Sequence, residues 1–206
     1  MSSVKVAEGK KVKIKAKAYI QMLMHGLRFY NEYNPKMQNV SFGLLVGLNN
    51  GKEYEIQEIL PVQHNPMGDV VFDERLIRNW TEYNNLKHQE EKLERCFGFY
   101  KTQFDEVKLK ARDARNLATI QNMDPNSICL IMDIRKFLKE QEYGFSIFQL
   151  VKEVGRYHDM NPYVKIKWQI SPIEDDKDEV VGIIKDMIDN IDSDKPFIDE
   201  WDEEAR

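Results

Sequence analysis

Residues 97–104 read FGFYKTQF. Phe97, Phe99 and Tyr100, with Cys96 before them, have the aromatic quality of a short buried strand. That strand is expected to stop at a polar step, Lys101, Thr102 and Gln103. What such a step does at the end of an apolar strand depends on the elements around it.

Upstream, "VSFGLLVGL" (40–48) is a continuous apolar run and reads as a buried strand, "NNG" (49–51) is a hairpin turn, and "YEIQEILPV" (54–62) is the partner strand. Earlier still, "VKIKAKAY" (12–19) alternates Val12, Ile14, Ala16 and Ala18 against lysines, the period of a half-buried strand. From about Ala18 the period becomes helical, with Ile20, Leu23, Met24, Leu27 and Tyr30 on one face, and Asn34-Pro35 ends that helix. Phe72, Leu76, Trp80 and Tyr83 mark a second helix, expected to continue through the solvated run "KHQEEKLER" (87–95). Downstream, "EVKLKARDARNLATIQN" (106–122) reads as a helix with Asp105 as N-cap. An Asp-Pro turn then introduces the strand "SICLIMD" (127–133), followed by strands "FSIFQLVKE" and "VKIKWQISPI" and a terminal amphipathic helix, "DEVVGIIKDMIDNI" (178–191). This order predicts an α+β class with helices covering a mixed sheet.

Length and composition narrow the functions. A 206-residue chain with 42% hydrophobic residues holds one good core, burying roughly 70% of its unfolded surface. Its formal net charge is −5, so a nucleic-acid surface is not the default reading. Residues 4–17 nonetheless carry six Lys against one Glu, and residues 174–206 are dominated by Asp and Glu, which reads as a basic entry strand and an acidic, solvated tail. The lysines are read as a solvated strand face; direct RNA contact has no positive warrant. No run approaches the roughly 18 apolar residues of a membrane span, and no apolar leader precedes a small-residue cleavage site, so a cytoplasmic protein without membrane contact is expected. Cys96 and Cys129 lack ligand spacing and read as buried packing residues. His25, His64, His88 and His158 include no i, i+4 or HxH pair and read as surface or packing residues, with His64 in a loop after the second hairpin strand. There is no GxSxG elbow and no phosphate loop, since no GK[ST] follows the glycines of "GLLVGLNNG".

Taken together, "NVSFGLLVGLNNGKEYEIQEILPV", "CFGFYKTQF", the following helix, "NSICLIMD" and "FSIFQLVKE" resemble, in order and spacing, the MPN domain, also called JAB, JAMM or Mov34. The resemblance implies an α/β-type sandwich with a mixed sheet flanked by helices, of cytidine-deaminase-like architecture. It places the MPN-like domain at residues 10–173 and an acidic tail with one helix at 174–206. Active members carry a Glu three residues before the first strand glycine, a His-Ser/Thr-His step, and a Ser and an Asp downstream. Two imidazoles and a carboxylate there hold Zn²⁺ while the Glu takes a proton from its water. The corresponding positions here are Val40, Lys101, Thr102, Gln103, Lys110 and Asp113. The resemblance therefore implies a pseudo-metalloprotease with no cofactor and no metal, in which Asp113 pairs with Lys101 or Lys110.

Short matches, Pro61, Gln63 and His64 after the hairpin, Phe72-Asp73-Glu74 opening the second helix, and Tyr100-Lys101-Thr102, resemble the h-type subunits of eukaryotic translation initiation factor 3 within the family's non-catalytic branch. Implied partners are another MPN-domain subunit in a heterodimer, helical scaffold subunits and, through the complex, the small ribosomal subunit. The implied alternative is an inactive partner of an active deubiquitinating or deneddylating MPN isopeptidase in a lid-like or signalosome-like complex. The stripe Val181, Ile184, Met187, Ile188 and Ile191, beside Val180, is a candidate partner helix.

Overall fold

The computed structural model describes residues 5–34, 38–65, 72–104, 106–140, 142–152, 157–158, 162–190 and 200. Strand β1 (Val6–Ile14) buries Val12 and Ile14 and turns Lys11 and Lys13 to the other face, as the alternation requires, while Lys10, on the Val12 side, donates to the buried Gln149 Oε1 at 2.7 Å. Helix α1 (Ala16–Arg28) starts earlier than the alternation suggests. Ala16 and Ala18 continue the strand's period on paper, but alanine is the strongest helix former, and the Tyr19 amide already donates to the Lys15 carbonyl at 3.1 Å.

Strands β2 (Val40–Asn49) and β3 (Glu53–Asn65) form the expected antiparallel hairpin around the Asn-Asn-Gly turn. His64 lies inside β3, opposite Ser41, and not in a loop beyond it. Helix α2 (Glu74–Gln89) is capped by Asp73, whose carboxylate accepts the Leu76 amide at 2.9 Å. It does not run on through "EEKLER": Glu91 adopts a left-handed conformation (φ +56°) that ends it, and Phe72 packs ahead of its first turn.

Strand β4 (Arg95–Gln103) is longer than expected. Its pairing with β2 places Phe42 opposite Lys101, and its parallel pairing with strand β5 (Ile128–Asp133) sets Gln103 beside Asp133. The polar step thus forms the last three paired residues of the strand and does not follow it. Helix α3 (Ala111–Met123) begins five residues later than its apolar spacing suggests, because the Asp113 carboxylate accepts the Lys110 amide at 3.3 Å and fixes the start there. Val107 and Lys110 accordingly precede the helix, and Asp105 lies outside the described residues. A five-residue π-helical turn (Lys136–Glu140) then leads to strands β6 (Phe145–Leu150) and β7 (Tyr163–Ile170), and a 3-10 turn (Ile173–Asp176) precedes helix α4 (Lys177–Asn190).

The mixture of helices and strands is the expected α+β class, but the sheet is a closed seven-strand barrel, in the order β1-β3-β2-β4-β5-β6-β7, and not one layer of a sandwich. The reason is β1, which pairs in parallel with β3 through Val12 and Tyr54 and with β7 through Val12 and Trp168. The two edges that an open sheet would expose are thereby joined.

Two apolar clusters follow from the alternation of the strands. One gathers Leu45, Phe97, Tyr100, Leu130 and Ile147 with Ala18, Tyr19, Met22 and Leu23 of α1. The other sets Phe42, Leu44, Phe99, Ile131 and Phe148 against Leu76 and Trp80 of α2 and Leu117 and Ile120 of α3. Cys96 and Cys129 are buried free thiols within the second. The basic entry strand is tied to acidic neighbours: Lys13 lies 3.8 Å from Glu55, Lys15 3.1 Å from Asp176, and Lys17 3.5 Å from Glu179. Among the described residues, no helix is long and apolar enough to cross a membrane.

Candidate functional site

The last residues of β4 point alternately to opposite faces of the sheet and so build two polar sites back to back. On the α3 face, Lys101 Nζ lies 2.8 Å from Asp113 Oδ1, and both side chains are almost completely enclosed. The second Asp113 oxygen accepts the Lys110 amide. Gln103 donates its amide to the Glu106 carbonyl, while its Oε1 is buried without a hydrogen-bond partner. Val40 is buried at the start of β2, on the strand whose register sets Phe42 opposite Lys101. The Cys129 thiol beside the ion pair is pushed well above its ordinary pKa by burial, with the Asp113 charge adding to the effect and Lys101 opposing it.

Four of the positions that the zinc motif assigns, Lys101, Gln103, Lys110 and Asp113, are thus gathered on this face or beside it. Thr102 is not: it points the other way, and its Oγ1 accepts the Ser41 amide at 2.9 Å. Among the described residues, no three His, Cys, Asp or Glu side chains come together in a metal-ligating group. Val181, Ile184, Met187 and Ile188 lie on α4, far along the chain from this site, and Ile191 lies outside the described residues.

On the α1 face, the structure brings together residues that sequence spacing left scattered. His25 is fully buried. Its Nε2 lies 2.7 Å from Glu200 Oε1, and its Nδ1 lies 2.7 Å from the Tyr100 hydroxyl. The other carboxylate oxygen of Glu200 lies 2.7 Å from His64 Nδ1. His25 is held below the ordinary histidine pKa by burial, against the opposing pull of Glu200, and is therefore neutral near pH 7. Its single proton then sits on Nε2 and is donated to Glu200, so Nδ1 accepts from the Tyr100 hydroxyl. Burial, with the Glu200 charge, keeps that phenol protonated by raising its pKa well above the ordinary value. Burial alone would raise the Glu200 carboxyl, but the hydrogen bonds from His25 and His64 outweigh it and hold the group below its usual range.

Close backbone approach makes this second site possible. A Cβ at Gly26 would lie 2.5 Å from Ile134 Cδ1 and 2.9 Å from Thr102 Cγ2, so glycine lets α1 bring His25 onto the barrel. A Cβ at Gly43 would lie 2.4 Å from the Tyr100 ring, so glycine leaves room for that side chain too. Sequence reasoning missed Glu200 altogether, because it lies 175 residues from His25 and 136 from His64. The available signal was His25 itself, an ionisable residue between Met24 and Gly26 on the apolar side of a helix, where burial demands a partner.

A search of curated proteins found no match to this chain. A scan against family models matched residues 7–126, more than half of the chain, to the family described as JAB1/Mov34/MPN/PAD-1 ubiquitin protease. That span runs from β1 through α3 and into the turn before β5, and so includes the hairpin, β4 and the Lys101–Asp113 corner. The chain belongs to the JAB1/Mov34/MPN/PAD-1 family.

Proposed function

We propose that this protein is a non-catalytic MPN scaffold subunit of a large cytoplasmic assembly, of the type of the h subunit of eukaryotic translation initiation factor 3. In this reading residues 10–173 are the MPN domain, and residues 174–206 form an acidic extension that carries a partner helix. The observation that carries the proposal is the buried Lys101–Asp113 pair. A zinc centre needs three protein lone-pair donors and an open fourth position. An ammonium has no lone pair and repels a dication, and here it engages the one carboxylate of the motif at 2.8 Å. Val40, in the position of the proton-accepting Glu, has no basic atom. The residues present therefore do not fit zinc, and we derive no hydrolytic step for them.

An assembly role is supported by α4, which buries Val180 but leaves Val181, Ile184 and Ile188 between 40% and 58% exposed along one stripe. A helix-in-groove partner buries such a face, and the reading takes that partner to be a helical scaffold subunit beside a second MPN subunit.

Affinity purification from the source cell tests the assignment. Small-ribosomal-subunit and initiation-factor proteins are expected in the eluate. Their absence, with lid-type or signalosome-type subunits present instead, transfers the protein to the second reading, an inactive MPN partner of an active isopeptidase. Stoichiometric zinc in the purified protein, lost together with cleavage of a ubiquitin-like isopeptide in Asp113→Ala, would refute both.

A further inference from the structure

The buried polar cluster on the α1 face has the properties of a binding site and not merely of a packing contact. Its two donors face different oxygens of a single carboxylate, each at 2.7 Å, an arrangement that suits a planar two-oxygen anion. Both rings are also held by contacts that owe nothing to Glu200. His25 is fixed by the Tyr100 hydroxyl and packs edge-on against Phe29, and His64 lies stacked on the same Phe29 ring at 3.9 Å and 18°. Donors fixed in advance by neighbouring groups lose little freedom when an anion arrives. The anion itself comes from 136 residues after His64 and 175 after His25, from a residue that belongs to neither α1 nor β3.

We propose that His25, His64 and Tyr100 form a carboxylate-recognition site for an acidic peptide segment, of which Glu200 of this chain is the resident occupant. Binding of an acidic peptide from elsewhere is then competitive with Glu200. The site is built whether or not the Lys101–Asp113 face is catalytic, so this inference stands apart from the proposed scaffold role.

The test uses the full-length chain and a fluorescent peptide of residues 194–206, DKPFIDEWDEEAR. Fluorescence anisotropy is expected to show at least tenfold tighter peptide binding to Glu200→Ala than to the wild type. Replacing the peptide's own Glu200 by Gln, or adding His64→Ala to the Glu200→Ala chain, is expected to abolish most of that gain. Equal binding by wild type and Glu200→Ala, or indifference to the Gln peptide, overturns the proposal. Should Glu200→Ala fail to fold, the isosteric Glu200→Gln chain replaces it under the same criteria. Nitrogen-15 spectra of the wild-type histidine rings give a check that needs no variant. A His25 ring protonated at Nε2 alone at pH 7 supports the site, and one that titrates as a solvent-exposed histidine refutes it.

Discussion

Neutralising Lys101 alone strands the Asp113 carboxylate where water does not reach it, since both side chains are at most 5% exposed. Removing one member of a buried pair in this way costs about 3–5 kcal/mol. Lys101→Met and Asp113→Leu should each lose that much in urea unfolding, while the double variant, whose apolar side chains fill the same volume, should recover most of the loss. On the opposite face, His25 gives the protein a pH dependence. Burial lowers its folded pKa below the ordinary 6.5, with Arg28 of α1 and His64 of β3 acting in the same direction and Glu200 against them; the Tyr100 hydroxyl stays neutral. The unfolded chain therefore takes up the proton first. Stability from this residue is fully present above about pH 6.5 and falls as pH drops below it, by at most about 1.4 kcal/mol per pH unit for one proton. Glu200, held below its ordinary value of 4.5, adds a loss of the same sign at more acid pH. Urea midpoints between pH 5 and 8 should show the slope, and His25→Gln should flatten it.

At the scale of elements, two glycines on different elements make opposite predictions. Gly43→Ala drives a methyl to 2.5 Å from the Leu60 carbonyl oxygen, a backbone atom that cannot swing aside, and should cost about 1–3 kcal/mol. Gly182, inside α4, has open space where its Cβ would be, and Gly182→Ala should add about 0.5–1 kcal/mol by restricting the unfolded chain. Thermal unfolding distinguishes the two by the sign of the Tm change. Elements whose signals are local were legible in the sequence. The β2–β3 hairpin follows from apolar runs around Asn-Asn-Gly, and placing cations and an anion in the same family corner left Asp113 to pair with Lys101 or Lys110, of which the structure shows the Lys101 contact. Boundaries set by a single backbone event were not. The start of α3 depends on one carboxylate reaching the Lys110 amide, and the end of α2 depends on one left-handed residue, Glu91; apolar periodicity runs through both without a mark.

Across the whole molecule, the least legible feature was the joining of distant segments. His25 of α1 and His64 of β3 meet at Glu200, and no spacing rule spans 175 residues. The exposed stripe on α4, by contrast, was visible as periodicity, and its role can be tested without disturbing the fold. Ile184→Glu and Ile188→Glu, at 40% and 58% exposed, should change the isolated protein's stability by no more than about 0.5 kcal/mol. If α4 is a docking helix, the same substitutions should deplete partner subunits from an affinity eluate.

Closure of the barrel also bears on how the molecule behaves among its own copies. Strand β1 is hydrogen-bonded on both flanks, to β3 and to β7, and so acts as the closing stave of the cylinder. If β1 were to peel away, two rows of backbone amides and carbonyls would be bared at once, each a template on which a neighbouring chain's β1 could anneal. The first strand, read from sequence as a basic entry to the fold, is thus its safeguard against strand exchange.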